Sequence, residues 1–251
     1  MATNKPATTH FGYREVAVDD KTSLVHEVFS SVAGKYDLMN DLMSFGIHRL
    51  WKREFVANSG IRMGEKVLDL AGGTGDISTL LSPRVGARGR VVMTDINPDM
   101  LELGRRRLED RGIGSNVNFA LANAELLPFR NALFDAVTIA FGLRNVTDQN
   151  AALREMFRIL RPGGKCLILE FSAFRVSGLK KLYDRYSFDV LPLLGRLVAN
   201  DADSYRYLAE SIRQHPPQEE LAQMMQQAGF TNVRFRDLSA GIVAIHSGVH
   251  P

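Results

Sequence analysis

At 251 residues, 45% of them hydrophobic, the chain is long enough to bury one generous core, and the default architecture is a single α/β domain with additions. A net charge of +3 and a pI near 9.1 fall short of the concentrated basic face of a nucleic-acid binder. No apolar run approaches the roughly 20 residues needed to span a bilayer. The single cysteine, Cys166, excludes an internal disulfide and sits in Lys165-Cys-Leu-Ile-Leu-Glu170, where it reads as a small apolar residue of a buried strand. The six histidines show neither H-E-x-x-H nor a close cluster, so no metal is expected. The start, Met1-Ala-Thr-Asn-Lys-Pro6, lacks a signal-type apolar stretch, and the cytoplasm is the expected compartment.

Residues 1 to 20 are polar without a clear period and are expected to form a mobile arm; residues 21 to 251 are expected to form one domain. Its first part, 21 to 60, reads as a helical cap: Leu24, Val25, Val28, Phe29 and Val32 have helical spacing. The stretch Tyr36 to Trp51 then mixes aromatic and Met side chains with polar ones, a surface suited to closing over an aromatic ligand.

Residues 66 to 75, Lys-Val-Leu-Asp-Leu-Ala-Gly-Gly-Thr-Gly, organise the rest. An apolar run that suits a strand buried on both faces breaks into Gly72, Gly73 and Gly75 and resumes as a helix. The glycines are read as leaving the backbone open to a small molecule, at the carboxyl end of a central parallel strand, where open α/β sheets bind ligands. A dinucleotide fingerprint would need a third-spaced glycine where Ser78 stands, and no Gly-Lys-Ser/Thr of a P-loop follows. Some twenty residues on, Val91-Val92-Met93-Thr94 ends in Asp95, a candidate for accepting hydrogen bonds from two ribose hydroxyls. Asn97 is expected to cap a helix that has Pro98 at its first position. On that helix Arg105, Arg106 and Arg107 alternate with Glu102, Glu109 and Asp110 as a solvated face.

A third strand, Val117 to Ala122, leads to Asn123-Ala124, where a side-chain amide and a backbone N–H can read an adenine edge. The fourth, Phe134 to Ala140, opens into Phe141-Gly-Leu-Arg-Asn145. An amphipathic helix carrying Leu153, Met156, Phe157 and Leu160 is expected to stop at Pro162-Gly-Gly164, with a fifth strand at Lys165 to Phe171. Residues 175 to 215 form an insertion read as a helical lid, with an apolar segment from Leu179 to Val198 that also carries Lys180, Lys181, Arg185 and Arg196, a mix able to lie on a membrane surface. A helix stopped by Gly229 and two runs, Val233 to Leu238 and Ile242 to His246, close the chain; the runs can pair as an antiparallel hairpin at the sheet edge.

Asp69-Leu-Ala-Gly-Gly-Thr-Gly75, Asp95, Asn123-Ala124 and the terminal hairpin together resemble a class I S-adenosylmethionine-dependent methyltransferase. The stretches Tyr36-Asp37-x-Met39-Asn40-x-x-Met43-Ser44-x-x-x-His48-x-x-Trp51 and Arg158-Ile-Leu-Arg-Pro-Gly-Gly164-x-x-x-x-Leu169-Glu170-x-Ser172 are similar to the ubiquinone/menaquinone biosynthesis C-methyltransferase family, as are Phe141 to Asn145 and Val198 to Leu208. That resemblance implies a Rossmann-like, seven-stranded, mostly parallel sheet with a C-terminal antiparallel hairpin and helices on both faces. It also implies S-adenosylmethionine held by Gly72, Gly73, Thr74, Asp95, Asn123 and Ala124, and a prenylated quinol as substrate. Ala140 stands where the family often has serine, so only a backbone contact to the cofactor can remain there.

Carbon methylation sets the remaining expectations. A ring carbon is a poor nucleophile until a hydroxyl ortho or para to it loses its proton, so a base or charge stabiliser must stand beside that hydroxyl. Arg144, just past the fourth strand, is the first candidate and is read as holding the developing phenolate. His48, Asn145, Tyr205 and Tyr207 are candidate substrate contacts. A prenyl tail would keep the substrate in the bilayer, so peripheral contact with the inner face of the membrane is expected, with other quinone-biosynthesis enzymes as expected associates, while the mild charge argues against a nucleic-acid partner. Rival readings are a methyltransferase of another small aromatic or lipid, one acting on nucleic acid or protein, and a non-catalytic cofactor-binding scaffold.

Overall fold

The computed structural model describes residues 8–32, 40, 41, 44, 46–172 and 202–251. Strands β1 (Thr8–Phe11) and β2 (Arg14–Ala17) form an antiparallel hairpin, and α1 (Val18–Val32) follows without a break. The polar arm expected through residue 20 is therefore ordered structure from Thr8. Phe11 supplies the reason: its ring stacks on Tyr207 at 4.2 Å between centroids, and Glu210 accepts the N–H of Tyr13 at 3.0 Å. One buried aromatic contact made far away in the sequence orders a segment that has no periodicity of its own.

After α2 (His48–Ala57), the sheet begins with β3 (Lys66–Leu70), and α3 (Asp76–Val85), β4 (Arg90–Asp95), α4 (Pro98–Asp110) and β5 (Val117–Leu121) follow. Then come β6 (Phe134–Ala140), a 3-10 turn at Leu143–Asn145, α5 (Gln149–Ile159), β7 (Leu160–Phe171), α6 (Ala202–Gln214), α7 (Gln218–Gln227), β8 (Thr231–Leu238) and β9 (Val243–Val249). The seven-stranded sheet has the order β5-β4-β3-β6-β7-β9-β8, parallel except for β9, which runs antiparallel to both its neighbours. The terminal pair is thus a hairpin as expected, but β9 inserts beside β7 and leaves β8 at the edge.

β3 is buried on both faces, and its alternation divides the core. Val67 joins Leu81, Leu108, Leu167 and Ile245 on one side; Leu68 and Leu70 join Leu153, Met156, Ile168 and Met225 on the other. The chain winds outward from β3 to β4 and β5, then returns to place β6 on the opposite side, so the strand order reverses between β3 and β6. That reversal splays the two following loops apart and opens a crevice at the carboxyl ends of the strands.

Two boundaries differ from the sequence reading. α5 ends at Ile159, and Leu160 already pairs with Phe134 before the register shifts across Pro162-Gly-Gly164 to Lys165 opposite Ala136. Proline disfavours helix in the residue before it, so the helix ends ahead of the turn, and Gly163 takes a left-handed φ of +78°. The expected helix over 179 to 198 and the greater part of the 175 to 215 lid lie outside the described residues. Among the described residues no helix is long and apolar enough to cross a membrane.

Candidate active site

The crevice is a cleft lined on the sheet side by Leu70, Ala71, Gly73, Asp95, Asn123, Ala124, Ala140 and Phe141. Thr22, Val25, His26 and Phe29 of α1 form the opposite wall. α1 is fixed there through the cap of α4. Asn97 Oδ1 accepts the N–H groups of Asp99 and Met100, as expected, while its Nδ2 donates to Ser30 Oγ at 3.1 Å and to the carbonyl of His26 at 3.3 Å.

Two non-glycine residues, Ala71 at φ +49° and Phe141 at φ +56°, hold left-handed conformations where β3 and β6 end. Each costs of order 1–3 kcal/mol unless the surroundings impose it, and residues strained in this way gather at ligand sites. Here they turn the two central strands sharply outward and shape the floor of the cleft.

The glycines act differently from the expectation. A Cβ on Gly72 would lie 2.6 Å from Met93 Cγ, and one on Gly75 2.3 Å from Leu108 Cδ1, so these two make room for β4 and α4. Of these three, Gly73 borders the main cleft and Gly72 a smaller pocket beside it; the Gly73 φ of +54° is what only glycine takes without strain. The sequence reading missed a fourth glycine. A Cβ on Gly104, in α4, would lie 2.5 Å from the carbonyl oxygen of Gly73 and 2.4 Å from Met93 Cε. A lone glycine inside an otherwise amphipathic helix is the available signal, since it usually has a packing reason. Gly104→Ala should push α4 off the loop, destabilise the fold by about 2 kcal/mol and weaken cofactor binding. Thermal melts with and without ligand measure both; a stabilised variant would refute the close-approach account.

Asp95 is 9% exposed. Its Oδ2 accepts the N–H of Gly73 at 2.9 Å and its Oδ1 accepts that of Asn97 at 2.9 Å, joining the ends of β3 and β4. Burial pushes its pKa up, and the backbone hydrogen bonds oppose that. Each carboxylate oxygen retains a second lone pair. Asn123 Oδ1 accepts the N–H of Glu125 at 2.9 Å, which commits the amide carbonyl to a local turn and leaves its NH₂ end to meet a ligand. Asp69, at the end of β3, is fully enclosed; burial raises it to about 6 against hydrogen bonds from Ser78 at 2.6 Å and Thr138 at 2.9 Å.

Thr74 lines a smaller pocket instead, about 340 Å³, with Lys52, Asp69, Gly72, Asp76 and Ile77. Ala71, Gly73, Ala140 and Phe141 border both spaces. Lys52 Nζ lies 2.7 Å from Asp76 Oδ2. Burial pushes the Asp76 carboxyl up, but the charge and hydrogen bond of Lys52 outweigh it and hold it below its ordinary value. His48 is buried one turn before Lys52, 3.4 Å from Asp41 Oδ1; burial, aided by the Lys52 charge, lowers it to about 4, so it is neutral at pH 7.

Arg144 does not line the main cleft. It borders a neighbouring depression of about 780 Å³ with Lys21, Tyr207 and Ser211, while Asn145 reaches the cleft itself. Its Nη1 donates to Glu170 Oε1 at 2.9 Å and to the carbonyl of Phe141, its guanidinium lies over the Phe171 ring at 5.3 Å, and the backbone N–H of Arg144 is held by Glu170 Oε2. The Nε of Arg144 is buried without a hydrogen-bond partner among the described residues. Tyr207 donates to Asn145 Oδ1 at 3.0 Å, and burial pushes its phenol up to about 12. Tyr205 is fully buried and borders none of the three spaces.

His215, at the end of α6, is lowered by burial to about 4. Its folded pKa lies below the unfolded value near 6.5, so the stability it contributes is complete above pH 6.5 and is lost as pH falls toward 4. The loss is on the order of 3 kcal/mol. His215→Gln should flatten that slope in urea titrations; an unchanged slope would mean that the buried histidine does not drive it.

An open sheet whose order reverses between β3 and β6, with a glycine loop after the first central strand and a carboxylate ending the next, defines a class I S-adenosylmethionine-dependent methyltransferase. Solved structures share the fold. A methyltransferase of Aquifex aeolicus is similar with a TM-score of 0.60 at 17% identity, covering 86% of this chain and 98% of that one; a possible histamine N-methyltransferase of Thermotoga maritima gives 0.60 at 20%, covering 90% and 99%. The model of the ubiE/COQ5 methyltransferase family matches residues 15–250, and the chain belongs to that family. Relatives described as ubiquinone/menaquinone biosynthesis C-methyltransferases are 61% identical in Xylella fastidiosa, over 98% of both chains, and 59% identical in Edwardsiella ictaluri, over 99% of both. The cofactor is S-adenosylmethionine.

Proposed function

We infer that the protein transfers a methyl group from S-adenosylmethionine to a ring carbon of a prenylated quinol, 2-polyprenyl-6-methoxy-1,4-benzoquinol or demethylmenaquinol or both. The observation that carries this reading is a cleft at the strand-order reversal, shaped by a glycine loop and a buried carboxylate, in a chain about 60% identical to quinone C-methyltransferases over nearly its whole length.

The cofactor, when bound, supplies an electrophilic methyl on a sulfonium. Asp95 would accept the ribose hydroxyls with the lone pairs left by Gly73 and Asn97, and the NH₂ of Asn123 with the backbone of Ala124 would meet the adenine. At Ala140 only main chain is offered. α1 lines the crevice opposite the sheet, and transfer requires both that the nucleophile be held in line with the methyl and that water be kept from it. The quinol hydroxyl must surrender its proton to water for the ring carbon to attack, Arg144 would hold the phenolate that forms, and the hydrogen on the methylated carbon then leaves as a proton to restore the aromatic ring. Its Nη1 is committed to Glu170, so the phenolate would meet the other N–H groups of the guanidinium, directly or through a water. Tyr207 fixes Asn145, which would touch the ring from the cleft side. His48, beside Lys52 and away from the cleft lining, and the enclosed Tyr205 have weaker geometric claims to the substrate.

A prenyl tail partitions into the bilayer, and we place the enzyme at the membrane surface while it works, with the segment carrying Lys180, Lys181 and Arg185 as the contact, and with other quinone-biosynthesis enzymes as neighbours. Charge reversal of those three residues should reduce binding to anionic liposomes and turnover of long-tailed substrate while sparing a short-tailed quinol. Equal loss on both substrates would reject the contact.

The function is tested by incubating the protein with S-adenosylmethionine and a short-tailed quinone kept reduced or oxidised, with mass detection of ring-methylated product. Product from the reduced form only is expected. No product from either head group, or equal product from the oxidised form, would overturn the reading.

A further inference from the structure

We propose that Lys21 promotes ionisation of the quinol hydroxyl, its ammonium supplying the net positive charge that the Arg144–Glu170 pair, taken together, does not. The proposal rests on the substrate reading above and gives a role to a residue of α1 that no step of that reading uses.

The depression beside the main cleft is bordered by Lys21, Arg144 and Tyr207, and it shares Val146 and Thr147 with the cleft itself. The loop from Arg144 to Thr147 is therefore the partition between the two spaces, and Lys21 is fastened to it: Nζ donates to the carbonyl of Val146 at 3.1 Å. Lys21 is 6% exposed, yet that carbonyl is its single hydrogen-bond acceptor, and it forms no ion pair, among the described residues. Arg144 differs. Its Nη1 lies 2.9 Å from Glu170 Oε1 and both side chains are buried, so the pair is neutral as a unit and offers a phenolate hydrogen bonds without net charge.

Burying an ammonium against one carbonyl is unfavourable; burial pushes the Lys21 ammonium down, and the charge of Glu125 opposes that. A phenolate at the partition is the counter-ion such a group lacks. It arises only when the quinol ionises, so the attraction favours the reactive form over the neutral one. The O–H bond breaks, its proton leaves with water, and Lys21 keeps its own proton throughout. The acids of the surrounding elements have other partners: Glu125 accepts the N–H of Thr147, Asp148 that of Ala151 as the cap of α5, and Glu210 of α6 that of Tyr13. His10 of β1, Arg14 and Glu15 of β2, and Asp19 and Asp20 beside Lys21 on α1 are exposed, where water and salt screen them. Tyr207, pushed up by burial to about 12, stays a neutral phenol at working pH.

The test is the pH dependence of kcat with a short-tailed quinol kept reduced without oxygen, for wild type, Lys21→Met and Lys21→Arg. Lys21→Met retains an apolar stem of similar length and removes the charge. It should lower kcat at pH 7 about tenfold and move the rising limb of the pH–rate profile up by about one pH unit, so that its rate approaches that of wild type at high pH. Lys21→Arg should restore most of the rate and the position of the limb. Thermal melts and calorimetric S-adenosylmethionine titrations check folding and cofactor affinity separately, and Lys21→Gln carries the same expectation should the Met variant fail to fold. A deficit equal at every pH would overturn the proposal and leave Lys21 as a fastening for the partition loop; an unchanged kcat would overturn it outright. If wild-type protein methylated no reduced quinol at any pH, the substrate reading would fall and this proposal with it, an outcome distinct from a variant-specific failure.

Discussion

Asp95→Ala is expected to weaken S-adenosylmethionine at least a hundredfold while the protein still folds. Two hydrogen bonds from the ribose to a charged acceptor contribute roughly 1.5–3 kcal/mol each, and about 1.4 kcal/mol corresponds to tenfold in affinity. The structure adds a second loss: the N–H groups of Gly73 and Asn97 lose the carboxylate that joins them, so the loop is no longer set for the ligand. Asp95→Asn separates the two effects, because it keeps the shape and one acceptor oxygen but removes the charge and the ability to accept at both positions. An intermediate affinity is expected for it. Calorimetry showing Asp95→Ala within threefold of wild type would move the ribose away from this residue.

Arg144→Lys should lower kcat by about a hundredfold or more and leave cofactor affinity within twofold. The lysine keeps a cation beside Glu170, so no buried carboxylate is stranded, but it has no planar fork and no Nε donor. Removing one donor to a developing oxyanion commonly costs a hundred- to a thousandfold. Arg144→Ala is the poorer experiment, because leaving Glu170 uncompensated would destabilise the fold by about 3–5 kcal/mol and confuse the reading. Single-turnover rates with reduced quinol, alongside S-adenosylmethionine titrations, distinguish the cases. Unchanged kcat would assign the Arg144–Glu170 pair to structure alone.

The local sequence was sufficient for elements whose pattern carries its own cause. β3 is apolar on both faces because it lies at the centre of the sheet, Asn97-Pro98 begins a helix through side-chain capping and a preset φ, and Asp95 ends a strand in a carboxylate. These features depend on neighbours within a few residues, so the chain displays them directly, and the family motifs laid over them placed the cofactor.

Contacts between residues distant in the chain were not legible. Phe11 orders the first hairpin only because Tyr207 stands opposite, and Gly75 and Gly104 are small because α4 lies against the loop. Lys52 meets Asp76 across two helices, and Arg144 turns from the cleft to Glu170 on another strand. Sequence by itself determined the sheet, the loop and the ligand class; the tertiary structure alone decided which glycines border the cleft, where the charges pair and what holds Arg144. The physical reason is that propensity and capping act over a few residues, whereas burial and charge pairing are set by whatever the fold brings alongside.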